Sequence, residues 1–457
     1  MIFRKGSFQA MFCWRHCRPW LRLLLILPVL AVGMSRLAHA QAQRFELDLT
    51  NPNFQRIAIA IPDFKRQSSE QTQLAREMGE TLAGDLDFSG IFRPLDPKGF
   101  LEDPQTMGLN APEIKFPDWR RLGADYMVRG NYLVQGGTVK IEARLFDVAA
   151  GRPVIAKAYE GDVRGWRAMI HRFADEILYA LTGERGVFDT KIAYVQSMGK
   201  NKEIFISDFD GSNPVQASRD NSLSLSPAWN PQMSQIAYVS YRDGNAKIYL
   251  LNLQDGSSRL LCGYPGMNIS PAWRPGRPEL AVTLTRDGNP DIFLVSASSG
   301  QILQKLVQGR SINVSPDWSP DGRSLAFVSD ESGNPQIYAI DVGSGQKRRL
   351  TFSGTYNTSP SWSPKGDFIA YSGTVGGRHH IFIMKTDGSG NRQLTDGDGD
   401  DVSPTWSPDG RMIAFSSTRQ GGSAIWVSSV NGIGVRRLTR QGGGQELPDW
   451  SPRMSGR

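Results

Sequence analysis

Apolar and polar positions alternate in short runs through the second half of the chain, and the runs recur in phase. Residues 191–195, 235–239, 279–283, 324–328, 368–372 and 412–416 each place an aliphatic residue, then Ala, then usually an aromatic and a small or branched residue. Alternation with β-branched and aromatic side chains marks strands. A further strand follows in each repeat, as at 247–251, 291–295, 336–340 and 380–384, and then a short one, as in Arg259-Leu260-Leu261 and Arg437-Leu438-Thr439. Turn formers separate them, among them Pro320-Asp321-Gly322, Pro408-Asp409-Gly410 and Asp243-Gly244. Proline presets one turn angle and glycine tolerates positive φ.

Tryptophan keeps the phase. Trp229, Trp273, Trp318, Trp362, Trp406 and Trp450 are spaced 44, 45, 44, 44 and 44 residues apart. Ser-Pro-x precedes the first five, and Leu447-Pro448-Asp449 precedes the sixth. Four short strands per repeat describe propeller blades, with the tryptophan filling the space between them. The repeat beginning near Lys191 lacks an upstream Ser-Pro-x-Trp, and the last such motif has no strand after it. The two incomplete ends complete one another, which predicts a closed ring of six blades.

Residues 41–185 do not share the repeat. Phe45, Leu47 and Leu49 alternate with Glu46 and Asp48, and 56–62 reads as a second strand. Leu74, Met78, Leu82 and Leu86 fall on one face of a helix predicted over 70–86. Residues 126–134 and 138–148 predict a hairpin across Gln135-Gly136-Gly137, and 166–181 an amphipathic helix ended by Gly183. The expected architecture is two-domain. An N-terminal α/β domain, 41–185, is followed by a six-bladed β-propeller, 186–457, with four antiparallel strands per blade and closure by the C-terminal strand.

Charge changes the picture only at the start. The chain of 457 residues carries a formal net charge of +7. Residues 1–40 hold Arg4, Lys5, Arg15, Arg18, Arg22 and Arg36 and no acid, followed by an apolar run at 23–33 and Ala38-His39-Ala40. This is the pattern of a cleaved export signal, with cleavage between Ala40 and Gln41. Removing its six of the 52 basic residues leaves 46 against 45 acidic ones, so a nucleic-acid partner has no electrostatic basis. The apolar run is too short to span a bilayer, so no direct membrane insertion is expected, and the mature protein reads as a monomer. Cleavage also removes Cys13 and Cys17, leaving Cys262 as a buried small hydrophobe without a disulfide partner.

The mature chain is poor in reactive groups. It has no Gly-x-Ser-x-Gly elbow, no His-Glu-x-x-His and no phosphate-binding loop, so no catalytic residue is assigned. His171 is expected on a solvated helix face, and His379-His380 in a loop or strand without a third metal ligand nearby. Asp396, Asp398, Asp400 and Asp401 have the composition of a Ca²⁺ loop without the EF-hand glutamate, and read as a solvated turn between blades. No cofactor is expected beyond weakly bound Ca²⁺. Lys347-Arg348-Arg349 reads as a charged strand edge.

The Ser-Pro-x-Trp-Ser-Pro-Asp-Gly blades and the Ile-Ala-Tyr-Val strands carry a resemblance to a known family. So do Asp85-Leu86…Ser89-Gly90-Ile91-Phe92 and Leu181-Thr182-Gly183 leading into Thr190-Lys191-Ile192-Ala193-Tyr194-Val195. In these, and in the order of its parts, the chain resembles the TolB family, periplasmic components of the Tol–Pal system of Gram-negative bacteria. The resemblance implies a non-enzymatic scaffold supporting outer-membrane integrity and constriction at division. It implies two partners: the peptidoglycan-associated lipoprotein Pal, on one propeller face, and the inner-membrane protein TolA, on the mature N-terminal segment. Here that segment is 41–53, with Arg44, Phe45, Glu46, Leu47 and Asp48 as contact residues. On the propeller, the loops into the innermost strands and those between second and third strands share one face. They carry the expected contacts Asn221, Met267, Asn268, Arg286, Arg310, Asn313, Tyr356 and Asn357, with Arg242 and Glu331 nearby. For the recurrent asparagines, turn formation and partner contact both remain open; tyrosine and arginine are enriched at interface hot spots. Two alternatives stand beside this reading. One is an exported propeller binding a small ligand or Ca²⁺ in its channel. The other is the propeller accessory of a hydrolase, whose catalytic domain this chain does not show.

Overall fold

The computed structural model describes residues 55–453. The expected export signal, its Ala40–Gln41 cleavage point, and the 41–53 segment with Arg44, Phe45, Glu46, Leu47 and Asp48 lie outside the described residues.

The first domain is a mixed sheet. Its strands are β1 (Ile57–Ala60), β2 (Lys65–Arg66), β3 (Phe92–Pro94), β4 (Tyr126–Gln135), β5 (Thr138–Asp147) and β6 (Arg152–Asp162). They order as β3-β1-β4-β5-β6, with β2 beside β4. The β1 pairings are parallel and the β4–β5–β6 meander antiparallel. Side chains divide by the period-two rule: Ile59, Val128 and Leu145 enter one apolar cluster, while their neighbours Ala60, Met127 and Phe146 enter another. The first cluster is covered by the helices α1 (Leu74–Phe88) and α3 (Trp166–Thr182), and the second by α2 (Phe116–Arg121).

Local chemistry sets the boundaries. The first helix starts at Leu74, later than the pattern predicts, because Gln71 sits at φ 51° and interrupts helical backbone. Gly183 at φ 78° ends α3, as expected. Gly136 and Gly137, both at positive φ, make the two-residue hairpin turn. β6 was not anticipated from the sequence, although Arg152–Asp162 alternates in exposure. His171 departs from expectation. It is buried, and its Nδ1 lies 2.7 Å from Asp85 Oδ2, joining α3 to α1. Burial pushes the Asp85 carboxyl above its ordinary range, and the His171 bond opposes that.

Six four-stranded sheets follow, spanning 224–262, 268–307, 313–349, 357–393, 401–437, and a sixth made from both ends of the domain. In the sixth, the closing strand Gln445–Trp450 pairs antiparallel with Lys191–Met198, bringing Trp450 opposite Ile192. The innermost strands touch their neighbours all the way round. The closing strand gives Lys191–Met198 the inner partner it would otherwise lack, completing the sixth sheet.

The Ser-Pro-x-Trp motif shapes each innermost strand. Its first residue takes φ between 49° and 55°, at Ser226, Ser270, Ser315, Ser359, Ser403 and Leu447. Pairing with the second strand slips there, so each motif is a β-bulge. The N–H groups of Ser403 and Leu447 find Ser372 Oγ and Ser416 Oγ of the preceding blade at 3.0 and 2.9 Å. The tryptophan then crosses between blades. The indole N–H groups of Trp229, Trp273, Trp318 and Trp406 donate to Asp449, Ala228, Ala272 and Ser361 carbonyls at 3.0–3.2 Å. Losing one such side chain is expected to cost about 3–5 kcal/mol.

The two domains share one core. Phe88 of α1 meets Phe209 edge-on at 5.0 Å, and His171 and Phe188 meet the same ring at 5.3 Å. Arg436 lies 4.0 Å over Phe88. Elsewhere in the ring this strand position carries Arg259, Arg348 and Arg392, each bonded to a carbonyl of the next blade: Ala297, Thr386 and Val430. The same side chain at 436 is turned onto the first domain instead. All these contacts fall at the tryptophan end of the innermost strands, in the 401–437 blade and the closing blade.

Buried carboxyls make the ring sensitive to pH. Asp317 and Asp449 come from opposite blades and accept the backbone N–H of Trp362 and Trp229 at 2.6 and 2.7 Å. Surrounding protein pushes both up to about 7, and they repel one another. Asp175, desolvated and beside Asp189, is pushed up to about 8. A folded-state value above the unfolded one favours folding at low pH, and the advantage is lost as pH rises through the folded value. From the ordinary 3.8 up to about 7, each of the pair should subtract up to about 1 kcal/mol per pH unit. Thermal melts from pH 5 to 8 should therefore show Tm falling, and falling less in the Asp317→Asn/Asp449→Asn variant. Parallel profiles would rule this out.

Candidate partner-binding face

The loops into the innermost strands place two neighbouring positions in opposite environments. Five residues before each tryptophan stand Ser224, Asn268, Asn313, Asn357, Asp401 and Gln445, all buried. One residue earlier stand Leu223, Met267, Ile312, Tyr356, Asp400 and Gly444, whose carbonyls accept the N–H of Tyr241, Thr285, Asp330, Thr374, Thr418 and Ser197. The backbone is thus held equally in all six blades. The first four of these outward positions are large and apolar, with Leu223, Met267, Ile312 and Tyr356 between 38% and 48% exposed. They form a crescent over four consecutive blades, interrupted by Asp400 and Gly444. Phe352 and Val375 are exposed beside its Tyr356 end. This face lies at the start of the innermost strands, opposite the end that meets the first domain.

The buried positions hold the loops. Asn268 Nδ2 donates to Ala246, Tyr264 and Gly266 carbonyls at 2.8–3.2 Å. Asn313 Nδ2 reaches Asp291 Oδ1 at 3.1 Å, and Asn357 Nδ2 reaches Gln336 Oε1 at 2.8 Å. Each ties the loop to the third strand of the preceding blade. These three side chains are enclosed, so they serve the loop and present nothing to a partner. Of the two alternatives for these three, loop formation is the one their hydrogen bonds display, and as placed they are not the exposed contact residues expected. Asn221 is exposed at φ 51°, a left-handed position asparagine tolerates, with its N–H on Glu203 Oε1 at 2.7 Å.

Met267 and Tyr356 stand on the exposed face, as do Arg286 and Arg310. Arg286 Nε pairs with Asp287 Oδ1 at 3.0 Å, and Arg242 Nη1 with Asp220 Oδ1 at 3.1 Å, so these cations are partly neutralised. Leu223 and Ile312 were missed as candidates. The tryptophan phase is the signal that finds them, since each lies six residues upstream of its tryptophan.

The acidic run is not one solvated turn. Asp396 and Asp398 are exposed, while Asp401 is buried and held by Arg419 Nη2 at 2.6 Å, with His380 Nδ1 at 4.0 Å. Asp400 Oδ1 accepts the His379 N–H at 2.9 Å, and the His379 ring meets Tyr356 edge-on at 5.8 Å. Both histidines lie in the strand Arg378–Lys385. No group of three or more potential metal ligands occurs among the described residues. Burial pushes the Cys262 thiol up to about 12, which keeps it protonated and unreactive. Lys347, Arg348 and Arg349 form an outermost strand, with Lys347 paired to Glu331 and Arg348 reaching the next blade.

The adjacent positions separate stability from surface. Asn313→Ala should lower unfolding free energy by about 1–3 kcal/mol, because it takes the donor from Asp291 Oδ1, which keeps only Lys305 on its other oxygen, and from the Ser311 carbonyl. Ile312→Ser, one residue away, should change it by less than about 0.5 kcal/mol. Denaturant unfolding of the two variants checks the contrast.

Comparison with known proteins agrees with this architecture. Residues 45–154 match the model of the TolB amino-terminal domain, and residues 178–454 that of the TolB beta propeller domain. The chain is similar to the Tol-Pal system protein TolB of Desulfosudis oleivorans, at 39% identity over 204 residues, covering 44% of this chain and 47% of that protein. It is similar to that of Syntrophotalea carbinolica at 37% over 198 residues, covering 43% and 46%. The chain thus spans about half the length of these curated relatives. The crystal structure of TolB from Acinetobacter baumannii superposes with a TM-score of 0.76 at 27% identity, covering 87% of this chain and 97% of that one.

Proposed function

The chain belongs to the TolB family, and from that membership we propose that it is a non-enzymatic periplasmic adaptor of the Tol–Pal system. In this reading the crescent face binds Pal, and the 41–53 segment binds TolA, using Arg44, Phe45, Glu46, Leu47 and Asp48. The adaptor thereby supports outer-membrane integrity and constriction during division. It works as a monomer and needs no cofactor. Calorimetric titration with Ca²⁺ tests the weak-binding alternative.

One observation carries the reading. Four consecutive blades raise an apolar side chain at the same exposed position, while the backbone beneath them is fixed by buried hydrogen bonds. A rigid rim with apolar anchors suits a protein partner, because little conformational freedom is lost on binding. The face also stands opposite the end that meets the first domain, so both ends of the molecule can be engaged together. The nearly neutral mature charge fits recognition by shape and burial more than by long-range attraction.

Mature protein and the soluble domain of Pal from the same organism should form a complex. Met267→Ser, Ile312→Ser and Tyr356→Ala together should weaken it at least about tenfold, with Tm nearly unchanged. Asp400→Ser should have a much smaller effect. Calorimetry or interferometry reads both. Absence of a complex at about 50 µM, with both proteins folded, would sink the reading.

A further inference from the structure

The sixth blade holds the seam that continuous chain does not span, since its strands come from opposite ends of the domain. Its tryptophan departs from Trp229, Trp273, Trp318 and Trp406, which bond a carbonyl of the preceding blade, and from Trp362, whose indole N–H is buried without a partner. The indole N–H of Trp450 donates to Thr190 Oγ1 at 2.8 Å, in the linker between the domains, and not to a carbonyl of the preceding blade. The residues after the closing strand continue the grip. Ser451 N–H donates to the Lys191 carbonyl at 2.8 Å, and Ser451 Oγ accepts the Lys191 N–H at 2.9 Å. Arg453 then spans two successive linker carbonyls, Gly186 at 2.9 Å through Nε and Arg185 at 2.6 Å through Nη2.

The first domain closes over the same place. Phe88 meets the Trp450 ring at 6.4 Å as well as Phe209 at 5.0 Å. Both aromatic partners belong to the closing blade. The segment that leads out of α3 is therefore held by the strand that shuts the ring, and the end of that strand is covered by α1.

We propose that docking of the first domain and closure of the propeller are one cooperative event, with the N-terminal domain acting as a clamp on the ring's seam. Peeling back the closing strand removes the partners of the linker at Thr190, Gly186 and Arg185, and uncovers Phe88. Lifting the first domain strips the cover from Trp450 and frees the linker that leads into Lys191. Neither step leaves the other half satisfied, because buried donors and acceptors lose their partners on both sides at once. The ordinary seams between blades are each spanned by continuous chain and need no such clamp. This inference is independent of the partners proposed above.

Hydrogen–deuterium exchange on the mature protein, in increasing sub-denaturing urea, tests it. Amides of 445–450, of the linker 183–190 and of buried α3 positions should share one opening, with a common rate and urea dependence. An Arg453→Ala/Thr190→Val variant should accelerate all three together by about tenfold or more, leaving 268–273 unchanged. Arg259→Ala, which removes an arginine from an ordinary seam, should speed exchange only in its own and the next blade. The proposal is overturned if the closing strand of the wild type opens at lower urea than α3. It is equally overturned if the double variant accelerates the strand alone. The wild-type measurement stands even if the double variant fails to fold.

Discussion

A blade has two apolar faces and no means of burying either alone, so everything in this protein follows from stacking blades until the stack meets itself. The tryptophan is the part that makes the stack rigid. Its ring fills the wedge between neighbours, and in four of the six its N–H fastens to the preceding blade, as Trp273 does to Ala228 and Trp318 to Ala272. An apolar filler of the same size would satisfy the burial and leave rotation about the contact unspecified. The bulge at the left-handed serine places the ring, since a regular strand would send alternate side chains elsewhere. Backbone strain at six positions is thus tied directly to the packing it permits.

Closure has a second consequence, which is that the polar layer must be complete. The loops returning from outermost to innermost strands cross the rim of the ring, where backbone groups are partly enclosed and need partners. Asn268, Asn313, Asn357 and Gln445 supply them through side-chain bonds to loop carbonyls, whereas Asp401 pairs with a charged side chain instead. Where the third strand of the preceding blade brings Gln336, an asparagine amide donates to it; where that strand brings His380 and the residue's own blade brings Arg419, the residue is Asp401. Chemical identity varies around the ring while the connection persists. That variation is why the buried layer is hard to read from a repeat alignment of the chain against itself.

The sequence was most legible where period and chemistry coincide. Tryptophan spacing alone yields the blade count, and the mismatched ends yield the closing strand. It was least legible where a side chain's role depends on a partner distant in sequence. His171 looks like a solvated helical residue because its neighbour Arg172 is charged, and only the arrival of Asp85 from another helix explains its burial. The asparagines look like surface residues for the same reason, since their partners lie in the preceding blade. β6 alternates visibly, but the connection before it, Val148-Ala149-Ala150-Gly151, carries a weaker turn signal than Gly136-Gly137 does. On the candidate face, Met267 and Tyr356 stand out by type, whereas Leu223 and Ile312 stand out only by phase.

The two neighbouring positions, one buried and one exposed, show how a recognition surface can vary without disturbing the ring. The buried residue bears the loop's hydrogen bonds, and the outward residue contributes only its backbone to the frame. Apart from Asp400, whose carboxylate accepts the His379 N–H, the outward side chain makes no bond to the frame, and the chain places leucine, methionine, isoleucine, tyrosine, aspartate and glycine there in turn. A six-fold repeat would present a six-fold rim to its surroundings, and a single partner could then dock in six equivalent ways. Restricting large apolar residues to four consecutive blades removes that degeneracy. The gap falls at the 401–437 blade and the closing blade, the two that carry the first domain at their far ends. A partner of the proposed kind would therefore be oriented relative to the whole molecule, and the asymmetry of the two-domain chain is matched by asymmetry on the face at the opposite end.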